Sequence, residues 1–168
     1  MGELIRRRGM VNGEDASYVA YEAYNLSFDS SLSTYIDTGI YLFSSENIGR
    51  DFEFLAENIR GVAGVTDQTI ICSKQNSTSY GFLVRTTTRT DSAWNGTIHV
   101  MYSVDATVCV RRINGVITLS GEHINNPSVR IVNSAFNLPL VLGCALQDDG
   151  TPYRYASGTI GHVKVTWL

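Results

Sequence analysis

The chain has 168 residues, 43% of them hydrophobic and 17% charged, with a formal net charge of −3. That length accommodates one domain with a single core. Ordinary apolar content with small net charge excludes a disordered chain, and the slight acidity argues against a dedicated nucleic-acid binder, which needs a basic face to neutralise phosphates.

Residues 1–17 stand apart from the rest. Leu4-Ile5-Arg6-Arg7-Arg8-Gly9-Met10 is apolar and basic, and Asn12-Gly13-Glu14-Asp15 is polar and turn-rich. Neither stretch has a helical repeat or an alternation, so the segment reads as an N-terminal arm outside the core. No apolar run of signal-peptide or membrane-spanning length is expected here or later. Residues 18–168 read as one β domain. Tyr18, Tyr21 and Tyr24 recur every third residue at its start. They suit either an edge segment packed on its own domain or a contact with a neighbouring subunit.

Strand signals then follow one another. Tyr35–Ile40 alternates and is β-branched. Asp51–Ala56 puts Phe52 and Phe54 on one face and Asp51 and Glu53 on the other. Gln68–Ser73 is nearly all apolar, as in a strand covered on both faces. Tyr80–Arg85, Ile98–Tyr102 and Ala106–Ile113 come next. Asn114-Gly115 tolerates positive φ at both positions and predicts a two-residue hairpin into Val116–Ser120. Val129–Val132, Leu140–Leu146 and Gly158–Trp167 complete the set, with Asp148-Asp149-Gly150 as a further turn. No segment keeps a period of 3.6 over a helical length. The prediction is an all-β, two-sheet antiparallel sandwich.

Candidate chemistry is sparse. Cys72, Cys109 and Cys144 sit in apolar runs at spacings that fit no zinc or redox motif, and read as buried thiols of a protein made in a reducing cytosol. His99, His123 and His162 have no acid or cysteine at ligand spacing, so structural zinc is not expected, and Asp148 and Asp149, which could donate to calcium, read as a hairpin turn. There is no nucleophile elbow and no phosphate-binding glycine loop. Asp51 and Glu53 alternate on one strand, but position 55 is Leu, so the pair reads as a solvated face rather than a glycanase dyad. Trp94-Asn95 lies in a polar loop and offers an aromatic platform beside an amide, the candidate glycan-binding site. Eleven of the thirteen basic residues are arginine, and nine tyrosines accompany them, a composition suited to protein–protein contacts.

Ser33-Thr34-Tyr35-Ile36-Asp37-Thr38-Gly39-Ile40, Arg50-Asp51-Phe52-Glu53-Phe54, Pro139–Leu146, Asp149–Tyr155 and Ala156–Ile160 with Val163-Lys164-Val165 occur in an order that resembles the laminin-G-like, concanavalin A-like jelly-roll superfamily. The version it is most similar to is found in bacterial surface proteins and gut-bacteriophage virion proteins, and the likeness runs over residues 24–168. The basic start of the chain is similar to the short basic starts of phage structural proteins. The resemblance implies a two-sheet antiparallel jelly roll, a form that carries lectins, glycanases, adhesion modules and capsid attachments alike. The expectation is a non-enzymatic virion protein made in the host bacterial cytoplasm, without cofactor: a capsid decoration or head-fibre component, otherwise tail-associated. The arm residues Leu4, Ile5, Arg6, Arg7, Arg8 and Met10 would bind other virion proteins, and copies would form a homo-oligomer. Neither nucleic acid nor membrane is an expected partner. The alternative is a lectin-like adhesion module for host or mucus glycans.

Overall fold

The computed structural model describes residues 10–11, 14–15, 17–63, 68–87, 95–101, 104–125 and 129–168. Among them the only helical element is one 3-10 turn, Ser30–Leu32. The strands are β1 (Met10–Val11), β2 (Glu14–Asp15), β3 (Tyr18–Phe28), β4 (Ile36–Asp37), β5 (Phe52–Gly61), β6 (Gln68–Lys74), β7 (Gly81–Thr87), β8 (Thr97–Met101), β9 (Ala106–Ile113), β10 (Val116–Glu122), β11 (Val141–Leu142), β12 (Ala145–Leu146), β13 (Pro152–Tyr153) and β14 (Gly158–Trp167). One five-stranded sheet runs β10-β9-β5-β14-β3, a second runs β4-β11-β6-β7-β8, and β1-β2 and β12-β13 are two-stranded.

The two large sheets share one core. On the first, Phe54 of β5, Ile160 and Val163 of β14, Leu26 of β3 and Val108 of β9 are buried; on the second, Ile71, Phe82, Val84 and Ile98 are. Phe54 meets Phe82 across the gap at 5.3 Å between ring centroids, and Phe43 stacks on Phe136 at 5.2 Å. Such ring pairs add to what burial alone contributes. The Asp51–Ala56 alternation holds: Phe52 and Phe54 point inward, Glu53 faces Arg111 at 3.1 Å, and Asp51 accepts from the Asn114 amide at 2.8 Å. The Asn114-Gly115 hairpin also holds, with φ of 51° and 77° and Val116 opposite Ile113.

Four expectations change. The second sheet is mixed, because β7 and β8 pair in parallel. Tyr35–Ile40 shortens to β4: the Asp37 carboxylate accepts from the Gly39 amide at 2.8 Å and turns the chain. Leu140–Leu146 splits at Gly143, whose φ is +94° and whose Cβ, if it had one, would lie 2.4 Å from the Phe28 ring. Val129–Val132 makes only isolated bridges, from Val132 to Tyr80 and Gly81.

Among the described residues Arg112, at the inward end of β9, is the charged side chain buried most completely. It donates to the carbonyls of Arg50, Leu42 and Asn47 at 2.8, 2.9 and 2.6 Å, and to the Asn133 side chain at 2.9 Å. Its guanidinium lies 4.8 Å from the Phe52 ring centre. Burial lowers its pKa to about 10, so it remains charged near neutrality. These bonds tie the strandless segment 38–50 to β9, alongside its backbone hydrogen bonds to Leu140 and Phe136.

Candidate functional site

In β3, Ala23 and Leu26 are both buried; in β14, Ile160 and Val163; in β5, Ala56 and Ile59. Inward residues in a regular strand are two apart. Here each adjacent strand slips by one residue at the same level. The inserted positions, Asn25, Gly161 and Asn58, lie in a row: Ile160 pairs with Leu26 and Ile59, and His162 with Tyr24 and Glu57. At this level the three slips keep the ladders in step, and the mismatch appears as the shift between β5 and β9; β3 and β14 have a separate shift between Val165 and Thr166. Asn25 and Asn58 take the left-handed conformation, each at φ 53°. Gly161 lets the strands close up, since a Cβ there would lie 2.8 Å from that of Asn58. Aligned bulges of this kind re-aim the side chains around them.

On one side of the row, Asn25, Ser27, Asn58, Asp105, Thr159 and Gly161 line an outward-facing cleft of about 400 Å³. Asp105 is paired with Arg60 at 2.8 Å. On the other side, His162 stands between two carboxylates, with Nδ1 2.7 Å from Glu57 Oε2 and Nε2 2.9 Å from Glu22 Oε1. Donating to both at once takes the doubly protonated ring. Tyr24 stacks on His162 at 4.6 Å and 10°, and its hydroxyl donates to Glu22 at 2.7 Å. The Tyr24 hydrogen bond, with smaller help from His162 and Lys164, holds the Glu22 carboxyl below its ordinary range against the opposing effect of burial.

Among the described residues, no group of three or more His, Cys, Asp and Glu side chains is arranged to hold a metal ion. The carboxylates of the Asp148-Asp149-Gly150 turn accept from the backbone amides of Ser77 and Thr151. Cys72 and Cys144 are buried and Cys109 is half-buried, all three as free thiols, and burial pushes Cys144 up to about 12. No helix among the described residues is long and apolar enough to cross a membrane.

Of the residues singled out from sequence, Leu4, Ile5, Arg6, Arg7, Arg8 and Trp94 lie outside the described residues, as does the side chain of Met10 in β1. Asn95 is exposed in the turn before β8, on the second sheet, away from the bulge row. The tyrosine series divides: Tyr18 is half-buried, Tyr21 is in the core, and Tyr24 is on the outer face. The His162 cluster escaped sequence reasoning because Glu22 and Glu57 lie 140 and 105 residues away along the chain. Only the antiparallel register of β3, β14 and β5 brings them together. Comparison of the chain with protein-family models, curated proteins and solved structures finds no match.

Proposed function

We propose that this chain is a non-enzymatic structural protein of a bacteriophage virion, a capsid decoration or head-fibre component or otherwise a tail-associated one. In this reading the body is a concanavalin A-like jelly roll held outward by the arm, residues 1–17. The observation that carries it is how firmly β3, the strand that follows the arm in sequence, is built into the sheet. β3 starts immediately after the arm and is tied to β14 through nine cross-strand pairs. Its first residue is pinned: Arg50 donates to the Tyr18 hydroxyl at 3.2 Å and lies 4.4 Å over the Trp167 ring. The bulge row is seven residues farther along β3, about 23 Å at strand rise. A body tethered at one corner, with a polar surface displaced from it, has the layout of a displayed module. Many copies on one particle would turn weak contacts into avidity.

Self-association belongs to the same reading. β10 is an edge strand with no charged side chain from Val116 to Gly121, the kind of edge to which another strand adds. The adhesion reading, binding of host or mucus glycans, is favoured by the polar cleft beside Asn25 and Asn58.

The test is co-sedimentation of the full chain with particles, against a chain with Leu4, Ile5, Arg6, Arg7 and Arg8 all changed to Ser. The wild type should pellet, and the variant should stay in solution with an unchanged melting temperature. A variant that pellets equally, or a wild type that never pellets, contradicts the proposal.

A further inference from the structure

We infer that the cleft at the bulge row is a binding site for a neutral sugar. The inference deepens the adhesion reading and rests on it, not on the mode of particle attachment. Left-handed, non-glycine residues inside a sheet are costly and persist where the surroundings hold them. Here two of them flank one glycine, and all three border the cleft.

The chemistry of the lining selects the ligand. Asn25 and Asn58 each offer an amide that donates and accepts, and Ser27 and Thr159 offer hydroxyls that do the same. Vicinal hydroxyls of a sugar, each both donor and acceptor, match such a set. The lining carries one charge, the Asp105 carboxylate, and the neighbouring Arg60 is committed to it. A phosphate or sulfate would call for a cation to spare. The lining exposes polar and apolar surface in near-equal amounts, which suits the hydroxyls and C–H faces of a sugar better than a wholly apolar ligand. The volume falls within the range of small-molecule sites.

Ligand-observed NMR on the full chain tests this with a panel of neutral mono- and oligosaccharides, and with a sulfated and a phosphorylated sugar as comparison arms. At least one neutral sugar should bind. Asn25→Gly and Asn58→Gly keep the left-handed backbone while removing the amide. Each should weaken binding about tenfold, as expected for the loss of one good hydrogen bond. Thr159→Tyr, which fills the cleft without touching those backbones, should abolish binding at an unchanged melting temperature. Binding of anionic sugars alone, no neutral sugar bound by the wild type, or neutral-sugar binding unaltered in Asn25→Gly, in Asn58→Gly or in Thr159→Tyr would overturn the inference. The chain with the five arm substitutions should bind sugar as the wild type does. A failure of particle attachment therefore reads out separately from a failure of the cleft.

Discussion

The two five-stranded sheets share a core but treat their outer faces differently. In the second sheet β6 is buried along its whole length, and the residues of β8 are buried from Thr97 to Val100. Even its lysine, Lys74, is 9% exposed and donates to the carbonyls of Gln75 and Thr78 at 3.3 and 2.8 Å. The first sheet alternates, and its outer face carries ion pairs, the His162 cluster and the cleft. A sheet covered on both sides is committed to stability, whereas a sheet wetted on one side has a surface to use.

The contrast gives a ranking of substitutions. Arg112→Ala should have the largest effect, about 3–5 kcal/mol lost in chemical denaturation, because three carbonyls and Asn133 lose their buried donor at once. A loss under about 1 kcal/mol would mean that segment 38–50 does not depend on it. Gly143→Ala comes next, at roughly 2–3 kcal/mol, since the new methyl meets the Phe28 ring on a left-handed backbone. On the outer face, Glu22→Gln should cost only about 0.5–1 kcal/mol at neutral pH. Its pH dependence has a definite sign: the folded carboxyl is held below its unfolded value, so its contribution is complete above the unfolded carboxylate range and disappears as pH falls through the folded value. Wild-type and variant stabilities should therefore converge in acid, and a gap that widens there would contradict the geometry. Glu53→Gln, which breaks the exposed pair with Arg111, should fall below about 0.5 kcal/mol.

The same contrast explains what could be read from the sequence. The β6 run, the Phe52 and Phe54 face and the Asn114-Gly115 hairpin were legible because period-two alternation, continuous apolarity and turn chemistry act locally. Arg112 was not singled out from sequence, although it shares the parity of Ala106, Val108 and Val110 on β9. The bulge row was hidden for a physical reason. A one-residue slip breaks the alternation used to recognise a strand, so β3 gave no clear signal and β5 was expected to stop at Ala56, short of Asn58. The row was thus missed in β3 and β5, while β14, which carries Gly161, was expected over its full length. Local consistency gives way at functional sites more often than elsewhere.

Backbone amide shifts of the full chain, followed while a neutral oligosaccharide is added, test this division of labour most directly. The account predicts perturbations centred on Asn25, Asn58, Gly161 and His162, with β6, β7 and β8 unmoved. Shifts centred on Asn95 and the second sheet, or no shifts at all, would contradict it.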